Sequence, residues 1–202
     1  MKLTLQQLER SLISNNHTSE KTAKAVASLL TQVETLNEIA SSFSSFARMP
    51  EPVMHPLELV SLLKRIADLH MHAGDLVFIA EPKEAFVLGD DQLLGRTFSN
   101  LILNSFQSAQ PGKAMQVKVS LVKENGNYLI GFEDTGKGIT DQEAERIFSP
   151  HFTTKRSGSG LGLAISKQAI EQMKGKIWFE STMGKGTTFY ISLPALNPSS
   201  KP

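Results

Sequence analysis

Asn100 and Asn104 stand four apart in a stretch with helical periodicity, so their side chains share one face. Asparagine is a poor helix former, and two inside one helix cost stability. An amide oxygen can ligate a hard cation such as magnesium without adding negative charge that would repel a triphosphate. Taken alone, the two read better as a solvent-facing pair. A second group, Asp134-Thr135-Gly136-Lys137-Gly138-Ile139, directly follows a strand candidate. Its glycines let the backbone reach positive φ and approach a ligand closely. A carboxylate at the floor of such a pocket can accept a hydrogen bond from an exocyclic amine. The plain alternative is a turn with aspartate as turn former. The Asp-Thr-Gly of aspartic proteases is a poor fit, because it requires a second such signature or a small dimerising all-β subunit.

A third group runs from Ile147-Phe148-Ser149-Pro150-His151-Phe152-Thr153-Thr154-Lys155 to Gly158-Ser159-Gly160-Leu161-Gly162-Leu163. A loop with two hydroxyls and a lysine leads into a glycine-rich turn that opens a helix, where backbone N–H groups can hold phosphate. It is not a P-loop, since no Gly-x-x-x-x-Gly-Lys-Ser/Thr occurs. It is not a dinucleotide fingerprint either, because Leu163 takes the place of the third glycine and no strand directly precedes it. The fourth group, Gly184-Lys185-Gly186-Thr187-Thr188-Phe189, reads by itself as a hairpin turn into a last strand. His17, His55, His70, His72 and His151 show no metal-ligand spacing and read as surface or packing residues.

These groups need a scaffold. The 202 residues have room for one large domain with an appendage. Hydrophobic residues make up 40% and charged residues 20%, as in ordinary globular proteins. The net charge of +1 gives no global attraction to nucleic acid or to a membrane surface. There is no cysteine, which excludes disulfides and thiolate metal sites and fits a reducing cytoplasm. No apolar run approaches the roughly 20 residues that span a bilayer, and the N-terminus lacks the apolar stretch of a signal peptide.

Periodicity predicts two N-terminal helices over residues 1–50. Met1, Leu5, Leu8 and Leu12 mark the first, and residues 14–19 break it. Val26, Leu29, Val33, Leu36, Ala40, Phe43 and Ala47 mark the second as a heptad seam, which predicts a helical hairpin that dimerises as a four-helix bundle. Pro50 and Pro52 set a boundary. Residues 51–196 are expected to form one domain, with a polar tail over 197–202. Within it, helices are expected at Leu57–Leu69, Asp90–Ala109 and Leu161–Met173. Strands are expected at Leu76–Ile79, Ala85–Leu88, Lys176–Glu180 and Thr187–Leu193. Val117, Val119 and Leu121 face Tyr128–Phe132 across the hairpin signal Glu124-Asn125-Gly126-Asn127. The fold class expected is α+β, a two-layer sandwich of a mixed β-sheet covered by helices on one face.

In order and separation the four groups resemble the ATP-binding domain of sensor histidine kinases, in the superfamily that includes gyrase, mismatch-repair ATPases and a heat-shock chaperone. The resemblance covers about His55 to Leu193, and Phe43–Pro50 is similar to the end of the dimerisation helices in nitrogen-regulation type kinases. It implies an N box at Asn100 and Asn104, glycine boxes at Asp134–Gly138, Gly158–Leu163 and Gly184–Gly186, and an F box at Phe148–Phe152. Asn104 would coordinate Mg2+ between the phosphates of ATP, with Asn100 beside it. Asp134 would hold the adenine amino group, with the backbone of Gly136 and Gly138 against the base, and Ile139 and Thr187 would belong to the nucleotide-binding set. Thr153, Thr154 and Lys155, with Gly158, Ser159, Gly160, Leu161, Gly162 and Leu163, would form a lid over the phosphates. Asn100, Asn104 and Lys155 would be the catalytic set. Gln107 falls in the nucleotide-contacting set where many members carry a basic residue, Ser105 replaces the usual alanine, and His151 replaces an aromatic of the F box.

The activity implied is transfer of the ATP γ-phosphoryl group to a histidine, then to an aspartate on a response-regulator receiver domain. A hydrolytic ATPase of the same fold would need a glutamate where Asn100 stands, and asparagine cannot act as a base. A nucleotide-sensing dimerisation module without catalysis is the other alternative. The His-Glu-x-x-Asn-Pro-Leu-like acceptor box does not occur, which implies a chain that begins just after its acceptor and cannot phosphorylate itself. Such a chain would be cytoplasmic, with no membrane contact of its own, from a parent that can be membrane-anchored.

Overall fold

The computed structural model describes residues 26–33, 51–155 and 158–196. The chain divides into two compact units, Met1–Met49 with Thr153–Leu161 and Pro50–Phe152 with Gly162–Pro202.

In the first unit, residues 26–33 are helical. Val26 and Leu30 are buried, whereas Leu29 is 49% exposed. The buried pair is spaced by four, so the covered stripe runs through Leu30 rather than through the expected seam position Leu29. The rest of the expected hairpin lies outside the described residues.

The second unit is built on a five-stranded sheet of order β2-β4-β5-β7-β6. Its strands are β2 (Asp75–Ala80), β4 (Gln116–Glu124), β5 (Asn127–Asp134), β6 (Lys176–Thr182) and β7 (Gly186–Pro194). β2 pairs with β4 in parallel, and the other pairs are antiparallel. Alternation decides which face is covered. Val117, Val119 and Leu121 of β4, Ile130 and Phe132 of β5, and Ile191 and Leu193 of β7 are buried. They pack under α1 (Leu59–His70), α2 (Asp91–Gln107) and α4 (Gly162–Gln172), whose inward residues include Leu63, Leu94, Phe98, Leu101 and Ile170. The other face carries Lys118 and Glu133, paired at 3.9 Å, and the exposed Val77, Ile79 and Trp178. A mixed sheet with helices on one face is therefore the architecture.

Local chemistry sets the joints. Asn125 and Gly126 close the β4–β5 hairpin with φ of 48° and 78°, and positive values at both central residues suit the twist of the flanking strands. Asp90 caps α2 by accepting from Gln92 N and Leu93 N, and it also takes Val53 N at 2.9 Å. Burial pulls its carboxyl up, but the N–H groups of Leu93, Val53 and Gln92, with His55 nearby, outweigh that and hold it below the ordinary value.

Two details differ from expectation. The expected start of α1 at Leu57 belongs to a strand, β1 (His55–Glu58), which pairs antiparallel with β3 (Phe86–Gly89) in a separate two-stranded sheet. Pro56 hides this strand, since proline suits only strand edges. Glu58 then caps α1 and also accepts from Ala85 N. Between β5 and α4 lies a short helix, α3 (Asp141–Ala144), opened by a Thr140–Glu143 capping box. Among the described residues no helix is long and apolar enough to cross a membrane.

Candidate nucleotide site

The helix α2 and the last residue of β5 meet at a buried carboxylate. Asp134 is 4% exposed. Its Oδ1 accepts from Gly136 N at 2.8 Å, Ser108 Oγ at 3.0 Å and Thr187 N at 3.3 Å. Burial pushes the Asp134 carboxyl above its ordinary value, and these three bonds, with the Ser105 hydroxyl, oppose the shift without cancelling it. A buried acid without a cationic partner is costly, so its donors are what makes the ionised form tolerable.

The two glycines after Asp134 are each forced by a neighbour. A β-carbon on Gly136 would meet Ser108 Oγ and Asp134 Oδ1. Gly138 has φ of 78° and presses on the backbone of Thr182 and Met183. Gly184 N donates to Lys137 O at 2.8 Å, so the turn before β7 is laced to the turn after β5. Ile139 N donates to Ser181 Oγ at 2.9 Å, and that hydroxyl lies 2.8 Å from Thr187 Oγ1. Asp134, Gly136, Gly138, Ile139 and Thr187 are thus brought together, by the pairing of Asp134 with Thr187 across β5 and β7.

On α2 the two asparagines do share a face. Asn104 Nδ2 donates to Asn100 Oδ1 at 3.4 Å, and Asn100 Nδ2 donates to Ser166 Oγ of α4 at 3.1 Å. Gly162, the first residue of α4, fits because a β-carbon there would come to 2.5 Å from Asn100 Oδ1. Leu163 is half-buried, and Gln107 is exposed near the end of α2.

The expected lid residues Thr153, Thr154, Lys155, Gly158, Ser159, Gly160 and Leu161 belong to the other compact unit. There, Lys155 N donates to Thr153 Oγ1 at 3.1 Å, and Gly160 has φ of 67°. In the F box, Phe148 packs on Phe179 and Phe189, and Phe152 lies under the Arg146 guanidinium at 5.0 Å. His151 takes φ of 63°, a left-handed conformation that histidine adopts more readily than most residues.

Sequence reasoning missed the serines that hold this arrangement. Ser108, Ser166 and Ser181 each bond to a residue of the expected set or its backbone. The signal available was spacing: Ser108 lies one helical turn beyond Asn104, and Ser166 four residues beyond Gly162. Ser105 differs again. Its Oγ is buried and meets no partner at ordinary hydrogen-bond geometry, yet it helps to hold down the Asp134 carboxyl.

Residues 89–197 match the family described as histidine kinase-, DNA gyrase B-, and HSP90-like ATPase, and the chain belongs to it. Within that family it carries an ATP-binding domain of the sensor histidine kinase kind. The chain is 32% identical over 175 residues to the sensor histidine kinase ZraS of Klebsiella oxytoca, covering 81% of this chain and 36% of that protein. It is 27% identical to sporulation kinase B of Bacillus subtilis, covering 83% and 40%. The chain therefore spans well under half the length of these relatives. Among solved structures, the catalytic domain of histidine kinase ThkA superposes with a TM-score of 0.62 at 26% identity, over 70% of this chain and 95% of that one.

The residues present fit ATP and a magnesium ion. The Asp134 carboxylate, held by its donors, supplies a polar acceptor for a ligand. A single amide oxygen suits a metal that keeps several waters and takes the rest of its ligands from phosphates.

Proposed function

We propose that this chain is the catalytic part of a sensor histidine kinase, which binds Mg-ATP and passes the γ-phosphoryl group to a histidine. The convergence of three donors on Asp134 Oδ1 carries the reading. It holds a buried carboxylate in one orientation and leaves Oδ2 to the exocyclic amine of adenine, an arrangement that rejects the carbonyl of guanine. Gly136, Gly138, Ile139 and Thr187 line the base. Asn104 would supply an amide oxygen to Mg2+, whose chemistry when bound would be neutralisation of phosphate charge. By the resemblance to histidine kinases, Thr153, Thr154, Lys155 and the Gly158–Leu163 backbone would make the phosphate contacts, and Gln107 falls in the same set. Phosphoryl transfer asks mostly for positioning and charge neutralisation, which this set provides.

The phosphoryl group goes to a histidine and then to an aspartate of a receiver domain. Relatives that are themselves named sensor histidine kinases support this. Hydrolysis as the main activity is disfavoured by Asn100, whose amide is committed to Ser166 and Asn104 and cannot take a proton from water. Residues 1–50 form the dimerisation segment, on the strength of their heptad spacing.

Incubation with γ-labelled ATP tests the reading, with the chain alone and with a histidine-bearing dimerisation segment added. Acid-labile label on the added segment supports it. Label on this chain that vanishes in His17→Ala places the acceptor here and refutes that part.

A further inference from the structure

The asparagine assigned to the metal is oriented by a chain of contacts that begins on a different helix. Ser166 lies in the second turn of α4 and is 1% exposed. Its Oγ accepts from Asn100 Nδ2 at 3.1 Å, and Asn100 Oδ1 accepts from Asn104 Nδ2 at 3.4 Å. The contacts have a direction. A serine hydroxyl can donate as well as accept; here it accepts, with Asn100 Nδ2 turned to it and Asn100 Oδ1 turned to Asn104. Asn104 must then meet that oxygen with its own nitrogen, and its carbonyl oxygen becomes the other end of the amide. Gly162 closes the arrangement sterically, since a β-carbon there would lie 2.5 Å from Asn100 Oδ1 and 3.1 Å from both Cγ and Nδ2. The Asn100 amide is therefore confined by α4 on two sides, by a hydrogen bond and by a close contact.

We infer that Ser166 is a positioning residue for magnesium: through Asn100 it fixes which atom Asn104 presents to the metal. This rests on the reading of Asn104 as the magnesium ligand. The two ends of an amide are nearly the same in shape and opposite in chemistry, since the oxygen ligates a cation and the NH2 does not. A solvated asparagine loses orientational freedom when it binds a metal, whereas one already held by a neighbour has lost it in folding. Groups that orient a metal ligand typically change metal affinity by about ten- to a hundredfold when removed. The serine touches neither metal nor nucleotide in this scheme, so its effect belongs to magnesium dependence rather than to nucleotide affinity as such.

The test is calorimetric titration of the full chain with ATP in EDTA and over a magnesium series, for wild type, Ser166→Ala, Ser166→Cys, Gly162→Ala and Asn104→Ala. In wild type, magnesium tightens ATP binding, and in Asn104→Ala it does not. Ser166→Ala raises the magnesium concentration for half-maximal tightening about tenfold, with ATP affinity in EDTA unchanged. Ser166→Cys keeps the shape but offers a poor acceptor, and it behaves like the alanine variant. Gly162→Ala displaces Asn100 from the other side and gives the same shift. If Ser166→Ala and Ser166→Cys keep the wild-type magnesium dependence while Asn104→Ala loses it, the relay is refuted and the metal ligand stands. If ATP affinity in EDTA falls as far as affinity with magnesium, Ser166 acts only on the fold and the relay is refuted. If magnesium does not tighten wild-type binding, Asn104 is not the ligand and both ideas fail.

Discussion

A β-carbon on Gly136 would lie 1.8 Å from the hydroxyl oxygen of Ser108, so the turn after β5 and the end of α2 can meet only through a glycine. The same hydroxyl donates to Asp134 Oδ1 at 3.0 Å. Gly136→Ala must push Ser108 away from the carboxylate it helps to hold. Overpacking of this kind costs about 1–3 kcal/mol. The expected result is a lowered melting temperature and ATP affinity reduced at least tenfold, read by thermal denaturation and calorimetry. Ser108→Ala removes one of three donors without the clash, and its effect on affinity is smaller.

Asp90 joins the start of α2 to residue 53. Asp90→Ala removes a helix cap and a buried acceptor together, and chemical denaturation is expected to show a loss of about 2 kcal/mol.

Acid should weaken the fold and the site differently. Burial works against ionisation at Asp90 and Glu58, yet backbone N–H groups at Asp90, and the Ser61 hydroxyl with backbone N–H groups at Glu58, outweigh it. At Glu143 the Thr140 N–H leads, and all three carboxyls lie below their ordinary values. Their contribution to stability is complete above the ordinary carboxylate range and is lost as the pH falls through their lowered values. Asp134 is shifted upward by burial. Its ionisation costs stability at neutral pH, and that cost disappears as the carboxyl protonates. ATP affinity, which needs the carboxylate, is therefore expected to fall on acidification at a pH above that of acid unfolding. Calorimetry and circular dichroism over one pH series check this, and coincident midpoints would contradict it.

The dimer reading is tested by replacing Val33 and Leu36 with glutamate. Unpaired charge in an apolar seam costs several kcal/mol, and light scattering should report monomers. A wild-type chain already monomeric at micromolar concentration would remove the bundle.

Much of the fold was legible in the sequence, because the two periods that specify it are strongly written. Val117, Val119 and Leu121 alternate, Asn125-Gly126 marks a two-residue turn, and Leu94, Phe98, Leu101 and Ile102 keep helical spacing. β1 was not legible, since Pro56 argues locally against a strand and the pairing with β3 is a tertiary matter. α3 was legible in principle from Thr140 and Glu143, but it is only four residues long. In the site, Asp134 and its glycines showed because they break the core pattern. Ser108 and Ser166 did not, because a serine on a helix shows nothing of its role until a partner such as Asp134 or Asn100 is placed opposite it.

The central claim is that Asp134 reads adenine as a buried carboxylate. Asp134→Asn keeps Oδ1 to accept from Gly136, Ser108 and Thr187, so the fold has no reason to weaken. The variant puts an NH2 where an acceptor stood. Calorimetric titration of wild type and Asp134→Asn with Mg-ATP and Mg-GTP measures the claim directly. Wild type is expected to bind Mg-ATP and to discriminate against Mg-GTP, and the variant to lose most of its ATP affinity at an undiminished melting temperature. Equal ATP affinity in the two proteins would contradict the account.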